Sequence, residues 1–532
     1  MGMTNRKFLR LMVCEDADPV YTPESMLYSD EFKAQRVPVI VYPISILVLF
    51  LWIALSLRRL DNGLVLAIAL VPFGMLAAVT LPAIGGMSIL ACSLVAALTV
   101  GGATLRLLFD PRRGPIALPA PTIAFGIFAL YALFSATVLV RLFAGQFQVF
   151  SLSRTVQGAR IDTAFASVLV PLSPGGSNLS QSFYILLAFT VFVAFGHSLR
   201  RRGLTLADTA MRLAASVNLL LAAMDLAGLD AVLATVRTAS YTLANEQTMG
   251  GFARVIGGFS EPSSFGATSA AFFAWFVMAF RSSRRWSDLT LALLSLLCTV
   301  ASFSATGLFA AGVVSLWVAG IAALGLLRPT SGKAMSRSLI AAGILLCGLC
   351  LLLVLTPLPD LLQDLFRRIF LEKSGSMSGL ERKAWAVSGL NAFWQTWGLG
   401  AGAGSLRSNG LAPVLLGSVG VPGTLAFVTF LWLTLGRTRP AGRAGAIYRS
   451  AQAAALAQLC SAGISGTVPD PGLLLVLCCA VGAAAREAAP PLRPLPAGPG
   501  ARNLRLPEPA PSCDEMLQPS RISCPESNLR PS

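Results

Sequence analysis

Long apolar runs recur along the chain and are separated by short polar segments. Most runs have about 17–25 residues, the length that an α-helix needs to cross the hydrocarbon core of a bilayer. The pattern predicts an all-α, polytopic integral membrane protein with about 13 transmembrane helices, within a range of about 11–14. The predicted spans are residues 37–57, 64–81, 87–105, 122–140, 181–197, 205–224, 263–280, 288–302, 307–327, 339–357, 414–436, 450–466 and 470–486.

Composition supports this prediction. The chain is 55% hydrophobic and 12% charged, with a mean hydropathy of +0.70. Soluble globular proteins carry roughly 25% charged residues, so most of this surface does not face water. The net charge of +16 comes from short basic clusters between apolar runs. That distribution indicates membrane topology rather than nucleic-acid binding, and we expect no nucleic-acid partner.

The basic clusters follow every second predicted span. They comprise Arg58 and Arg59; Arg106, Arg112 and Arg113; Arg200–Arg202; Arg281, Arg284 and Arg285; Arg328, Lys333 and Arg337; Arg437, Arg439 and Arg443; and Arg486. The positive-inside rule makes these loops and the C-terminus cytoplasmic, and counting back puts the N-terminus outside. Three long loops, 141–180, 225–262 and 357–413, then fall on the external face, where polar chemistry can be housed.

The spans also set the predicted domain limits. Residues 1–36 form a polar N-terminal segment, and no cleavable signal peptide precedes the first apolar run. Residues 37–486 form the transmembrane domain. Residues 487–532 are rich in proline and arginine, a composition typical of a disordered tail, which is cytoplasmic in this topology.

The stretch "RVIGGFSEPSSFG", Arg254 to Gly266, combines a cation and a carboxylate at the start of an apolar run. Pro262 suits the first turn of a helix, whose free N–H groups near Ser263 and Ser264 would form an anion site. Arg254 adds a cation with bidentate reach to phosphate. Glu261 can accept a proton or hold an arginine. The alternative is that Arg254 and Glu261 form only an interfacial ion pair, although charges at membrane depth tend to be functional.

In a second stretch, residues 378–410, apolar residues recur at helical spacing after Arg382, which predicts a helix at the external interface. It ends in a glycine-rich loop, where Gly398 and Gly400 would let backbone N–H groups approach an anion. Trp394 and Trp397 could stack on sugar rings. The alternatives are a plain flexible loop and ordinary interfacial tryptophan anchors.

A third stretch, "VPLSPGGSNLSQSFYILLAF", makes a turn before the fifth predicted span. Asn178 and Gln181 could hydrogen-bond to sugar hydroxyls, or they could simply cap a helix. The single histidine, His197, excludes a histidine-rich metal site, and the ten cysteines lie mostly inside apolar runs. We therefore predict no metal, no cofactor and no disulfide framework.

Taken together, the motifs "PLSPGGSNLSQ", "RVIGGFSEPSSFG", "SFSATGLFAAG" and "ERKAW…TWGLGAGAGSLRSNGLAP" resemble, in order and spacing, the Wzy-type polysaccharide polymerase and O-antigen ligase superfamily. The resemblance covers about residues 165–435. It implies a GT-C-like fold with large periplasmic loops. It also implies a metal-independent, inverting glycosyltransferase that uses glycans carried on undecaprenyl pyrophosphate at the periplasmic face.

The family's functional arginines match Arg254 and Arg382. The polymerase pattern of arginine, fifteen residues, then glycine is met from Arg382 to Gly398. It is not met from Arg254, where Ala270 stands at the glycine position. The ligase branch has a histidine in the late external loop, and this chain has none there, which favours a polymerase.

The resulting hypothesis is polymerisation of lipid-linked repeat units into exopolysaccharide, capsule or O-antigen. The arginines and helix N–H groups would stabilise the pyrophosphate leaving group, with Glu261 as the base. The predicted catalytic residues are thus Arg254, Glu261 and Arg382. The substrate-binding residues are Asn178, Gln181, Ser263, Ser264, Trp394, Trp397, Gly398 and Gly400.

Two rival functions remain open. One is an O-antigen ligase that transfers glycan to lipid A core or protein. The other is a flippase or transporter, although the sequence shows no clear internal repeat. The location implied is the bacterial inner membrane, with many passes and the active site facing the periplasm. The implied partners are the undecaprenyl-pyrophosphate-linked glycan, the bilayer, and flippase and chain-length regulator proteins.

Overall fold

The computed structural model describes residues 39–81, 87–109, 118–152, 155–156, 159–160, 169–239, 248–249, 252–326, 367, 377–436 and 440–487. The described part is mostly helical. Its helices are α1 (Ile44–Arg58), α2 (Asp61–Ala69), α3 (Ala91–Leu108), α4 (Ala120–Phe134), α5 (Gly176–Arg202), α6 (Thr205–Leu226), α7 (Asp230–Ala234), α8 (Pro262–Ser283), α9 (Trp286–Ala301), α10 (Ala305–Leu326), α11 (Met377–Gln395), α12 (Leu411–Leu431), α13 (Gly442–Ser465) and α14 (Gly472–Glu487). A π-helical turn carries α4 on to Leu142, and another extends α12 to Gly436.

Short antiparallel strands connect some of these helices. They are β1 (Ile40–Val41), β2 (Ala77–Leu81), β3 (Met87–Leu90), β4 (Gln148–Phe150), β5 (Thr155–Val156), β6 (Ala159–Arg160), β7 (Leu169–Pro171), β8 (Thr248–Met249) and β9 (Phe252–Ala253). β1, β2 and β3 form one three-stranded sheet. Three separate two-stranded sheets pair β4 with β7, β5 with β6, and β8 with β9. The strands are brief, so the described part of the chain is a helical protein with small antiparallel strand pairs between its helices.

Six of the described helices are long and apolar enough to cross a membrane by length and composition: Ala120–Leu142, Gly176–Arg202, Thr205–Leu226, Pro262–Ser283, Ala305–Leu324 and Leu411–Gly436. Three shorter apolar helices lie at Ile44–Arg58, Ala91–Arg106 and Trp286–Ala301. These elements support a multi-pass membrane protein. The count of 13 spans and the GT-C-like arrangement stay predictions. Span 339–357 lies outside the described residues, as do segment 1–36 and all of 487–532 except Glu487.

The core lies between the central helices. α8 packs against α9, α10 and α13, and its Trp275 is fully buried. α14 packs against α5 and α13 and is buried along almost its whole length. Phe125 of α4 stacks on Phe430 of α12 with ring centroids 4.3 Å apart. Because every face of α14 is covered by protein, its apolar composition reflects burial in the helix bundle.

One predicted span is wrong as a continuous helix. Over residues 64–81, α2 ends at Ala69, and after a turn the chain continues as strand β2. Pro72 and Gly74 lie in this turn and both disfavour a helix interior. The turn is also held from outside, because the Met75 N–H donates to the Gly258 carbonyl over 2.9 Å. The break therefore packs against the loop that carries the glycine pair of the second motif.

Candidate functional site

Arg254 lies just after β9, and its guanidinium is fixed by backbone carbonyls from another part of the chain. Nε donates to the Ser302 carbonyl over 3.1 Å, and Nη2 donates to the Phe303 carbonyl over 3.2 Å. Phe303 has a left-handed backbone, with φ of 43°. These carbonyls belong to the turn between α9 and α10, which carries the "SFSATG" motif. That motif therefore orients the arginine.

Glu261 and Arg382 meet across two distant segments of the chain. Glu261 immediately precedes α8, with an extended backbone, and Pro262 takes the first helical position. Arg382 lies on α11, and its Nη2 is 4.0 Å from Glu261 Oε2. Ser264 donates its hydroxyl to Glu261 Oε1 over 3.4 Å. The carboxylate is 47% exposed, and both of these contacts are long, so it remains accessible to a ligand.

Arg254 lies close enough to Glu261 and Arg382 for both of their charges to affect its pKa. Burial lowers the pKa of Arg254 from its usual value; the positive charge of Arg382 acts in the same direction, and Glu261 opposes both. Arginine stays protonated at any pH at which proteins function, so the cluster carries two positive charges and one negative charge. Like charges held close together disfavour each other's charged form. An anion bound beside them would remove that conflict.

The start of α8 adds further hydrogen-bond donors. The first helical hydrogen bond is from the Phe265 N–H to the Glu261 carbonyl, over 3.3 Å. The first N–H groups of a helix lack acceptors within the helix, and the helix dipole favours negative charge there. Ser263 is buried at this end and Ser264 is half-buried. These serines therefore lie beside the Arg254, Glu261 and Arg382 cluster, as the sequence motif predicts.

α8 and α10 approach each other very closely at this site. A Cβ added to Gly307 would lie 2.7 Å from the carbonyl carbon of Gly266, so neither helix could carry a larger residue without moving. A Cβ on Gly266 would lie 2.5 Å from Ser302 Oγ. The close approach brings the start of α8 against the turn whose carbonyls hold Arg254. The two motifs are thus packed into one structural unit.

The glycine-rich loop after α11 is folded tightly onto the protein. The Gly398 N–H donates to the Phe393 carbonyl over 2.9 Å, and the Gly400 N–H donates to Thr396 Oγ1 over 3.0 Å. Gly400 has a φ of 93°, and a Cβ there would lie 2.6 Å from the Gly420 nitrogen. The N–H groups of both glycines thus already have protein acceptors. Their role in substrate binding stays a prediction, which this packing does not favour.

Trp394 and Trp397 are largely exposed, at 72% and 83%. Trp397 makes an edge-to-face contact with Phe143, with ring centroids 6.0 Å apart. Twelve residues separate Arg382 from Trp394, which corresponds to about 18 Å along the axis of α11. The indole rings therefore lie well away from the charged cluster, at a distance suited to a more remote part of a long ligand.

Asn178 and Gln181 lie in the first turns of α5 and are buried. Asn178 Oδ1 accepts the Gly175 N–H over 2.9 Å, and Nδ2 donates to the Ala403 carbonyl over 2.8 Å. Asn178 therefore caps α5 and ties it to the glycine-rich loop. Gln181 Oε1 is buried without a hydrogen-bond partner in the described part of the chain. In the described part of the chain, neither amide forms a hydrogen bond with Arg254, Glu261 or Arg382.

Sequence patterns missed two residues that touch the site. Asp225, at the end of α6, accepts N–H groups from the Arg254 loop, and Arg237 pairs with Asp225. The available signal was the scarcity of charge in this chain, since an ionisable residue at a span end is costly unless paired. Within the described ranges, no group of three His, Cys, Asp or Glu residues could hold a metal ion.

Comparisons with family models, curated proteins and solved structures found no match for this chain.

Proposed function

We propose that this protein is a membrane glycosyltransferase that polymerises lipid-linked oligosaccharide repeat units. The donor is a growing glycan on undecaprenyl pyrophosphate, and the acceptor is the sugar end of another lipid-linked unit. The observation that carries the proposal is the contact between Glu261 and Arg382, both of whose charges also act on the guanidinium of Arg254. Arg254 and Glu261 belong to one loop, Arg382 belongs to the distant helix α11, and all three lie near the start of the apolar helix α8.

The two arginines suit a pyrophosphate leaving group. As the bond between the anomeric carbon and the pyrophosphate oxygen breaks, negative charge grows on that oxygen. Arg254 and Arg382 would hold this charge by charge-assisted hydrogen bonds, together with the first N–H groups of α8. Because Arg254 is already oriented by the Ser302 and Phe303 carbonyls, it needs little rearrangement during the reaction.

Glu261 suits the general base. The acceptor hydroxyl attacks the anomeric carbon from the face opposite the pyrophosphate, which inverts the configuration. Its proton passes to the Glu261 carboxylate, and undecaprenyl pyrophosphate leaves. A base must lie within hydrogen-bond reach of the hydroxyl, and the 47% exposure of Glu261 beside Arg382 allows this. In this mechanism the partly buried arginines stabilise the leaving group, and the exposed carboxylate accepts the proton of the nucleophile.

The test is reconstitution of the full chain in vesicles with a fluorescent undecaprenyl-pyrophosphate repeat unit, with chelator present. The proposal expects a ladder of lengthening glycans. A single transfer onto added lipid A core, with no ladder, would instead identify a ligase. Movement of the intact lipid-linked unit across the bilayer without any new glycosidic bond would overturn the enzyme proposal and identify a transporter.

A further inference from the structure

A buried ion pair lies directly beneath the loop that carries Arg254. Arg237 follows α7 and is only 3% exposed, and Asp225 in the last turn of α6 is 10% exposed. Arg237 Nη2 is 2.6 Å from Asp225 Oδ1. Desolvating two charges is costly, so a buried pair of this kind adds little net stability over apolar packing. The role of the pair is therefore better explained by the backbone groups of the loop that it binds.

Both members of the pair bind backbone groups of the loop at Ile256 and Gly257. Asp225 Oδ2 accepts the N–H groups of Ile256 and Gly257, over 2.8 and 3.1 Å. Arg237 Nε donates to the Gly257 carbonyl over 3.0 Å, and its Nη2 donates to the same oxygen. Donors and acceptors of the loop are therefore satisfied together by one ion pair.

The neighbouring residues of the loop are fixed from other directions. The Val255 N–H donates to the Ala301 carbonyl over 3.1 Å, and the Gly258 carbonyl accepts the Met75 N–H. A Cβ on Gly258 would lie 2.4 Å from the Pro72 carbonyl oxygen. Four consecutive residues after Arg254 are thus bound to three different parts of the protein. The Asp225–Arg237 pair supplies the central contacts.

We infer that Asp225 and Arg237 are positioning residues, which hold Arg254 at the correct place for the lipid pyrophosphate. This inference rests on the proposed function. Neither side chain needs to touch the ligand. The pair fixes the backbone two and three residues after Arg254, and the Ser302 and Phe303 carbonyls fix the guanidinium. A displacement of about 1 Å at a catalytic group can cost about 100-fold in rate.

The test variant is Asp225→Asn, and the matched control is Asp230→Asn. An asparagine at 225 cannot both pair with Arg237 and accept the two loop N–H groups. Asp230 also faces Arg237, at 3.7 Å, but it is 68% exposed and makes no described contact with the loop. Arg237→Lys serves as a second variant, because it keeps the charge and loses the forked geometry.

Two readouts separate positioning from simple stability. Amide hydrogen exchange across residues 252–261 reports the loop without any substrate. Steady-state kinetics reports kcat and KM for the lipid-linked donor. In Asp225→Asn and Arg237→Lys, we expect faster exchange in this segment and a kcat lowered by about 10- to 100-fold, with KM little changed. We expect Asp230→Asn to match the wild type in both readouts.

The inference is overturned if both test variants keep the wild-type kcat, or if exchange accelerates throughout the chain and activity falls only in proportion to the folded fraction. The activity of the wild-type protein tests the proposed function on which this inference rests. If the wild-type protein makes no glycosidic bond, the proposed function fails, and the positioning role fails with it even where loop exchange changes. Wild-type activity with unaffected variants refutes the positioning role alone.

Discussion

Arg254 is bound in a way that a lysine could not reproduce. Its guanidinium reaches two backbone carbonyls, Ser302 and Phe303, and still borders Glu261 and Arg382. A lysine ammonium is a point charge without the planar fork. The sequence predicted Arg254, Glu261 and Arg382 as site residues from their motifs and the family resemblance, but it did not predict that Glu261 contacts Arg382. The scarcity of charge marked Asp225 and Arg237 as unusual, but their contacts with the loop could not be predicted, since these depend on how α6 and α7 fold back.

Arg254→Lys should therefore lower glycan transfer by about 100-fold, although the positive charge is kept. The lysine would lose the two carbonyl contacts and would place its charge elsewhere. The measurement is initial transfer rate at equal membrane level. Arg449→Lys is the matched control, because Arg449 is an exposed arginine on α13. An Arg254→Lys enzyme with the wild-type rate would show that only charge is needed there.

Glu261→Gln should lower kcat by about 100-fold or more, since an amide cannot accept the proton of the acceptor hydroxyl. The amide keeps the shape of the side chain and can still accept the Ser264 hydroxyl, so we expect normal folding. Steady-state kinetics with the lipid-linked acceptor gives the answer. Glu487→Gln removes an exposed carboxylate paired with Arg200 and should change nothing. Full activity in Glu261→Gln would remove Glu261 from the mechanism.

The elements form the site through close contacts that hydropathy does not encode. A continuous helix over residues 64–81 was predicted from apolar composition, yet Pro72 and Gly74 end it and the turn packs on the Arg254 loop. The helix predicted in residues 378–410 is confirmed as α11. Hydropathy gives the long helices well because their whole length is apolar. Hydropathy does not predict where a helix is interrupted or which elements it packs against, because both depend on tertiary contacts.

Gly307→Ala should destabilise the protein by about 1–3 kcal/mol, because the new methyl group would overlap α8 at Gly266. It should also reduce transfer, since α8 and the Arg254 turn would separate. Thermal unfolding in detergent measures the first effect. Gly312→Ala lies on the same helix, and its Cβ would meet nothing within 4 Å, so its stability should change by no more than about 1 kcal/mol. Equal melting temperatures for the two variants would contradict the close packing.

On the scale of the molecule, the site and the arginine clusters lie at opposite ends of the long helices. α8 begins beside Glu261 and ends beside Arg284. α5 begins beside Asn178 and ends with Arg200–Arg202. A helix of 27 residues such as α5 is about 40 Å long, comparable with the thickness of a bilayer including its headgroups. This separation agrees with a site on the face opposite the basic loops.

Cysteines at the two ends of α5 should therefore react from opposite sides of the membrane. Ser173 precedes this helix, Arg201 lies in its last turn, and both residues are exposed. With Ser173→Cys, a membrane-impermeant thiol reagent should label intact spheroplasts. With Arg201→Cys, labelling should require permeabilisation. The native cysteines in the unaltered chain give the background. The reverse pattern would invert the proposed topology, and labelling of both from outside would show that α5 does not cross the membrane.

The central claim is that Arg254 and Arg382 together stabilise a pyrophosphate leaving group. The most direct measurement is single-turnover transfer from the lipid-linked donor, in chelator, by the wild type, Arg254→Ala, Arg382→Ala and the double variant. The account predicts a loss of about 100-fold or more in each single variant. It also predicts that the double variant keeps a transfer rate well above the rate expected if the two single losses multiplied, because both arginines stabilise the same charge. Wild-type rates in both single variants would contradict it.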